Sequence, residues 1–367
     1  MPHRVRVVGL VMNTRNSQHG MALLILVFFI SLAALGYVVQ SLSSVGIKNE
    51  RDKKTAAVLA EAKAALIGWS ASHPTMPGAL PCPDLNTTAA NNGSSSACTS
   101  TTGIVGRLPW KTLGVGDIRD GDGECLWYAV SPIYRNTILV SSRNSVANRL
   151  NNTVLGSITF RAANGVNLPA PINPVIAVIF APGAPLADQN RSSAVSTQCG
   201  GNNNSNNYLD SVNGVNNATG NVSGTNYVFT AGTSSSTFND KVIYISAEEL
   251  YRPVRKRMVK EILGNVDVPA GVVDYFNYNG GSYPCPSATT TGGQNCSLST
   301  GVINSASSGM ALAYTPPALK SWLANNNWFA SAAYTYTDAA HVKLQITDPL
   351  GSYSCSANSN TFNCSSP

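Results

Sequence analysis

Residues 21–39 form an almost unbroken apolar run near the start of the chain, and this run constrains the fold more than any other feature. A basic leader precedes it, and no charged residue occurs between Arg15 and Lys48. About 20 apolar residues make roughly 30 Å of helix, which is the thickness of the hydrocarbon core of a bilayer. We therefore expect residues 21–40 to form a transmembrane helix. Residues 1–20 would stay in the cytoplasm, because basic flanks favour that side, and the rest of the chain would be exported.

The composition favours a folded, β-rich exported domain. Charged residues make up 11% of the 367 residues and hydrophobic residues 43%, which is too apolar for a disordered chain. The net charge of +6 includes three leader arginines, which leaves about +3 (6 − 3) for the remainder. So small a charge implies no obligate acidic partner, and we expect no nucleic-acid ligand.

An even number of cysteines follows the apolar run, at Cys82, Cys98, Cys125, Cys199, Cys285, Cys296, Cys355 and Cys364. Disulfides are favoured over zinc, because the chain lacks a Cys-x-x-Cys pair and has only His73 and His341 beyond the leader. Three pairs are close in sequence, namely Cys82–Cys98, Cys285–Cys296 and Cys355–Cys364. The remaining two cysteines, Cys125 and Cys199, would join each other. Eight cysteines allow many connectivities, so spacing leaves the pairing open.

The apolar run continues into a predicted amphipathic half of the same helix, over residues 41–72. One helical face is formed by Val58, Ala62, Ala65, Leu66 and Trp69. The His-Pro pair at 73–74 ends the helix. We expect this face to pack on a globular domain.

Two β-rich regions follow. Residues 73–245 contain several short strand-like apolar runs, and the Asn-, Ser- and Gly-rich segment 188–224 is predicted to be a long surface loop. Ser246 and Glu249 form a capping box, which begins a second helix within a smaller disulfide-bonded region, residues 246–367. A Pro-Cys-Pro segment occurs in each region and indicates an internal duplication, with chance similarity as the alternative.

The expected fold class is therefore α+β. A long N-terminal helix, with a transmembrane half and an amphipathic half, would pack on an antiparallel, β-rich and disulfide-stapled domain that contains the duplication.

The segment His-Gly-Met-Ala-Leu-Leu at 19–24 resembles the processing site of type IV prepilins and type II secretion pseudopilins. The glycine ends a basic leader, and the apolar helix begins directly after it. The later segments Leu-Pro-Cys-Pro-Asp and Leu-Trp-Tyr-Ala-Val are also similar to segments of bacterial pilin-like proteins. This N-terminal resemblance covers residues 15–71, and it implies a pilin-type long helix that begins at Met21.

The resemblance also implies a processing path. A prepilin peptidase would cleave between Gly20 and Met21 and methylate the new amino group. The helix would then leave the bacterial inner membrane and pack among other pilin or pseudopilin subunits in a periplasmic or cell-surface filament. The resemblance places these residues in the filament core: Leu23, Leu24, Ile25, Phe28 and Phe29.

Two positions depart from the pattern of the family. Most members have Phe where this chain has Met21, and Glu where it has Ile25. In the family that Glu neutralises the terminal amine of a neighbouring subunit, and an unpaired charge inside an apolar core is costly. Ile25 therefore indicates a minor, tip-type subunit. The alternative is a signal-anchored extracytoplasmic adhesin that does not assemble into a filament.

The acidic segment 117–124 resembles the start of a calcium loop, with Asp120, Asp122 and Glu124 as candidate ligands. Counted from Asp120, the twelfth position is Ser131 and not the Glu that a complete calcium loop has there. The alternative is an acidic β-turn before a strand.

The sequence offers no catalytic constellation. It contains no Gly-x-Ser-x-Gly segment, and neither His73 nor His341 has a motif partner. We expect no catalytic residues, no enzyme activity and no cofactor other than the candidate calcium. A basic helix near residues 252–260 indicates either contact with anionic surfaces or a solvated helix face.

Overall fold

We analysed a computed structural model of the chain. It describes residues 18–98, 104–166, 168, 175–192, 199, 202–223, 226–264, 271–278, 280–289, 295–303, 317–348, 351–358 and 361–365. The chain divides into two compact units, Met1–Lys53 and Lys54–Pro367. The predicted domain boundaries remain predictions.

The described residues form five α-helices and fourteen strands. The helices are α1 (Gln18–Ser72), α2 (Trp110–Leu113), α3 (Ala247–Leu263), α4 (Val272–Tyr278) and α5 (Pro317–Asn325). The strands are β1 (Val105–Arg107), β2 (Trp127–Val130), β3 (Ile158–Ala162), β4 (Ala177–Ala181), β5 (Ser211–Val212), β6 (Val215–Asn216), β7 (Asn221–Ser223), β8 (Asn226–Ala231), β9 (Lys241–Ile245), β10 (Thr300–Gly301), β11 (Ala332–Asp338), β12 (His341–Asp348), β13 (Gly351–Asn358) and β14 (Thr361–Ser365).

Four sheets contain these strands, and most neighbouring strands are antiparallel. The central sheet has the order β1-β2-β4-β9, and the C-terminal sheet has the order β10-β11-β12-β13-β14. A smaller sheet, β3-β8-β7, contains the parallel pair β3–β8, and β5 pairs with β6.

The central sheet is buried on both faces. Every residue of β2 and β4 is buried, as their continuous apolar sequences predict for strands covered on two sides. Because side chains alternate along a strand, Tyr128 and Ile179 face one core, whereas Trp127 and Phe180 face the other. The first core contains α1 and α3 residues, and the second contains Phe229 and other residues of β3 and β8.

Helix α1 buries one face against the first core from Thr55 onwards. Its buried positions are Thr55, Leu59, Ala62, Leu66 and Ser70. This face is centred slightly off the predicted one, so that Val58 is only partly buried. Such a stripe at helical spacing is typical of a helix packed on a sheet.

Helix α3 begins at the predicted capping box. The Ser246 hydroxyl accepts the Glu249 backbone N–H at 3.3 Å, and the Glu249 carboxylate accepts the Ser246 N–H at 3.0 Å. Lys63 of α1 forms an ion pair with the same carboxylate. The capping box therefore starts α3 and also joins it to α1.

The two Pro-Cys-Pro segments make the same local pairings. Asp84, just after the first segment, bridges to Arg107, and Ser287, just after the second, bridges to Val302. Next to each bridge a glycine lies opposite a tyrosine across the strand pair, in the registers Gly106↔Tyr128 and Gly301↔Tyr334. A Cβ atom on Gly106 would collide with the backbone oxygen of Asp84, and one on Gly301 with the backbone oxygen of Ser287, so both positions need glycine.

Four disulfides join the cysteines, as the exported-domain composition predicted. The pairs are Cys82–Cys98, Cys125–Cys199, Cys285–Cys296 and Cys355–Cys364, the same as those suggested by sequence proximity. Three of them close short loops, whereas Cys125 and Cys199 are 74 residues apart.

The predicted transmembrane half of the N-terminal helix is wrong. Within the described residues, no helix combines the length and the apolar character needed to cross a bilayer.

The same finding corrects the predictions that depended on that half. These are the pilin-type fold class with its transmembrane helix, the description of the chain as an inner-membrane pilin, and the single-pass inner-membrane location with a periplasmic domain.

The disulfides should contribute to stability according to the loops they close. Replacing Cys125 and Cys199 by serine should lower the free energy of unfolding by about 4.5 kcal/mol, against about 2.7 kcal/mol for the Cys355 and Cys364 pair. The difference arises because a disulfide that closes a longer loop removes more conformational entropy from the unfolded chain. Urea denaturation of both double variants measures the difference. Equal losses would contradict an effect through loop closure.

Candidate functional site

The predicted processing residues lie at the beginning of α1. The helix begins at Gln18, so Gly20 and Met21 fall in its first turn. The first backbone N–H groups of a helix have no partner within it, which makes this turn the easiest part to open. The side chains of Met21 and Leu23 lie outside the described residues.

The helix continues as a fully exposed apolar segment, residues 24–33. Nine of its ten residues are apolar, and the tenth, Ser31, turns its hydroxyl to the Phe28 carbonyl at 2.8 Å. The large side chains are 48% to 69% exposed: Leu24, Ile25, Leu26, Val27, Phe28, Phe29, Ile30 and Leu32. This set includes the predicted filament-core residues whose side chains are described.

The candidate calcium segment is organised around Asp120, which is completely buried. Its Oδ1 accepts the backbone N–H groups of Asp122 and Glu124, both at 2.9 Å. Its Oδ2 accepts the N–H of Gly183 at 2.9 Å, from the loop after β4. Burial raises the pKa of Asp120, and these N–H groups act in the opposite direction. Through these hydrogen bonds, Asp120 holds the turn at residues 120–124 against the loop that follows β4.

Two other acids of the segment have cationic partners. Glu124 lies 3.1 Å from Arg191, and Asp117 lies 2.8 Å from Arg119. Asp117 also lies close to the sulfurs of Cys125 and Cys199, but a disulfide supplies no thiolate for a metal. These contacts are typical of a structural turn, and the calcium site remains a prediction.

A pair of buried carboxylates, Asp210 and Asp240, was not predicted. They are 3% and 2% exposed, and each accepts the backbone N–H of the other at 2.9 Å. Asp210 follows two buried apolar residues, Tyr208 and Leu209. These residues belong to the segment 188–224, which was expected to be a surface loop.

The surroundings of the two carboxyls disfavour their ionised form. Burial raises the pKa of both carboxyls, and the negative charge of Asp210 raises the pKa of Asp240 further. Arg191 and the amide of Asn217 act in the opposite direction. Oδ1 of Asp240 is buried and has no hydrogen-bond partner in the part of the chain that the structure describes.

The sequence contained one signal for the pair. Each aspartate closes a short run that begins with a buried aromatic residue, Tyr208 or Phe238. This signal is easily missed, because isolated aromatic residues among Asn and Ser give no periodic hydrophobic pattern.

The basic helix is part of the packing of the domain. Arg257 donates from Nη1 to the carbonyl oxygens of Ala71 and His73, both at 2.8 Å, and thus caps the end of α1. Arg255 is buried. His73 accepts the Met76 backbone N–H at 3.0 Å, which gives it a role in the turn after α1.

The pH dependence of stability should reveal the buried carboxylates. Because the pKa of Asp240 is higher in the folded state than its ordinary 3.8, the folded chain binds more protons than the unfolded chain above pH about 4. The free energy of unfolding should therefore fall as pH rises from that value. An Asp240→Asn variant should show a flatter dependence in urea denaturation between pH 4 and pH 7.

Glu61→Gln changes an exposed acid on α1 and serves as the control. It should keep the wild-type slope. A wild-type slope in Asp240→Asn would show that Asp240 carries no such penalty.

Comparison with known protein families, curated proteins and solved structures finds no match. The resemblance to prepilins therefore rests on the residues themselves, chiefly the glycine before the apolar run. The functional conclusion must be drawn from the geometry of this chain.

Proposed function

We propose that the chain is a minor, pilin-like structural subunit, cleaved after Gly20 and built into a type IV pilus or type II secretion filament. One observation carries the proposal, namely the fully exposed apolar segment at residues 24–33. Soluble proteins rarely expose so large a continuous apolar surface unless a partner covers it.

The arrangement of the segment indicates that several partner helices, and not a single one, would cover it. Ten residues make almost three helical turns, so their side chains point in all directions around the helix. A single partner would cover one stripe and leave the opposite side in water. Packing among several helices, as in the core of a helical filament, would cover every side.

The free energy available is sufficient for assembly. Complete burial of a large apolar side chain contributes about 1.5–3 kcal/mol, and the eight side chains of this segment are roughly half to two-thirds exposed. Their burial would contribute about 10 kcal/mol, which is comparable to the cost of immobilising a subunit.

The remainder of α1 supports a role as a stem. Leu59 and Leu66 lie in the first core, and Arg257 and Lys63 join the helix to α3. From Thr55 onwards, α1 is thus joined to the folded domain by packed side chains, the ion pair of Lys63 with Glu249 and the hydrogen bonds of Arg257. Ile25, in the position where most pilins carry a glutamate, supports a minor subunit.

The partners that this proposal requires are a prepilin peptidase and other pilin or pseudopilin subunits. It assigns no catalytic role, and therefore no catalytic residue, to the chain.

Cleavage should depend on Gly20. The mature chain should begin at Met21 and carry a methylated amino group, and Gly20→Val should abolish both, because the peptidase must bind the residue before the cut. Intact-mass and N-terminal analysis of the purified protein measures this. Gly46→Val, in an open position of the same helix, should be processed normally. A mature terminus at any other residue would overturn the proposal.

Incorporation should depend on the exposed segment. Phe28→Glu should remove the subunit from a sheared filament fraction, because a buried unpaired carboxylate costs several kcal/mol. Val146 is 80% exposed outside the segment, so Val146→Glu should leave incorporation unchanged. Quantitative immunoblotting of the filament fraction measures both.

If the processed wild-type chain is absent from filaments, the adhesin alternative replaces the filament subunit. Retention of Phe28→Glu in filaments would show that this segment does not form the contact.

A further inference from the structure

The chain repeats a short sequence that can direct covalent modification by sugar. The triplet Asn-x-Ser/Thr, with any residue except proline in the middle, is the acceptor sequence for N-linked glycosylation of exported proteins. It occurs nine times, with the asparagine at Asn86, Asn92, Asn151, Asn190, Asn203, Asn217, Asn221, Asn295 and Asn363. A chain rich in Asn, Ser and Thr forms such triplets by chance, so the structure must distinguish the triplets that an enzyme can reach.

Six of the nine acceptor asparagines are covered or engaged by the fold. Three are buried, namely Asn92, Asn151 and Asn217. Three others are partly buried, and their side-chain amides donate to backbone carbonyls: Asn86, Asn203 and Asn221. A sugar on any of the six would require the local structure to open or would break a hydrogen bond.

The three remaining asparagines are exposed: Asn190, Asn295 and Asn363. In the last two triplets the middle residue is half of a cystine, Cys296 or Cys364, which restricts the chain at the point that an enzyme must grip. The triplet at Asn190 lies in the loop after β4 and has no cystine in it.

The loop after β4 presents Asn190 to the solvent. The middle residue of the triplet, Arg191, turns inwards, and its guanidinium donates to the carbonyl oxygens of Gly183 at 2.7 Å and Asn207 at 3.0 Å. The residues on either side of it, Asn190 and Ser192, are both exposed. Anchoring by Arg191 thus holds the acceptor and the serine of the triplet on the surface.

The Asn190 side chain has a free nitrogen. Its Oδ1 accepts the backbone N–H of Ser192 at 3.0 Å, which closes an Asx turn within the triplet. Its Nδ2, the atom that N-linked sugars are attached to, donates to no group in the described part of the chain. The turn therefore orients the amide without occupying the reactive atom.

An exposed acid distinguishes this triplet further. Asp188 lies two residues before Asn190, whereas Gly293 and Thr361 occupy that place before the other two exposed acceptors. A carboxylate on the surface can pair with an arginine of a modifying enzyme through two hydrogen bonds. Asp188 would thus add a point of recognition that the other exposed triplets lack.

The four disulfides indicate an oxidising compartment, which is where exported proteins receive such sugars. We propose that Asn190 is an N-glycosylation site, modified with an oligosaccharide from a lipid-linked diphosphate donor. The proposal does not depend on incorporation of the chain into a filament.

The reaction forms one bond and breaks one. Nδ2 of Asn190 bonds to the anomeric carbon of the first sugar, and the bond from that carbon to the diphosphate oxygen breaks. The lipid diphosphate leaves with the electron pair, and Nδ2 releases one proton to a base of the transferase. No oxidant or reductant is needed.

Peptide mass analysis of the full-length chain, purified from the organism that produces it, tests the site. The wild-type peptide that contains Asn190 should carry an oligosaccharide, and Asn190→Gln should lose this mass completely. Ser192→Ala keeps the asparagine but destroys the triplet, and it should lose the mass as well. Ser192→Thr keeps the triplet and should remain modified.

Two further variants sharpen the result. Asn295→Gln removes an exposed acceptor that has the same Asx turn, and it should leave the sugar on the Asn190 peptide unchanged. Asp188→Asn should lower the occupied fraction of Asn190, because it removes the carboxylate but keeps the size of the side chain. Circular dichroism of each variant establishes that it is folded.

Three results would overturn the proposal. The first is an unmodified Asn190 in the wild-type chain. The second is a sugar that persists in Asn190→Gln, which would place it on a hydroxyl group. The third is full modification of Ser192→Ala. Cleavage after Gly20 and methylation of Met21 alter a different peptide, so this proposal and the proposed function can fail separately.

Discussion

Burial of both faces of the central sheet is the constraint on which the rest of the structure depends. Strands β2 and β4 have no exposed side, so α1 and α3 must cover one face and the β3-β8-β7 sheet the other. Polar groups near these strands cannot reach water and must find partners inside the protein.

A second consequence is the use of buried carboxylates in the loops. The chain has few charges, yet four aspartates are each less than 5% exposed: Asp84, Asp120, Asp210 and Asp240. All four accept backbone N–H groups from nearby turns. Loops rich in Asn, Ser and Gly have little apolar surface to hold them, and these charge-assisted hydrogen bonds compensate for that lack. The candidate calcium segment and the Asp210–Asp240 pair share this architecture.

The helical stripe of α1, the start of α3 and the disulfides could be predicted because their signals are local. Ser246 and Glu249 are three residues apart, and three of the four cystine pairs lie within 16 residues of each other. The membrane-spanning half of α1 was predicted from hydropathy alone and was wrong. The buried residues within segment 188–224 were not predicted, because they are few and are separated by polar residues.

The sequence by itself determined the apolar segment, the helical stripe of α1, the capping box of α3 and the cysteine pairs close in the chain, because each depends on residues within a few turns of one another. Only the tertiary structure decided that Asp210 meets Asp240 and that Arg257 caps α1. These contacts join residues brought together by the packing of sheets and helices, and no local pattern encodes which distant groups a closed core will place side by side.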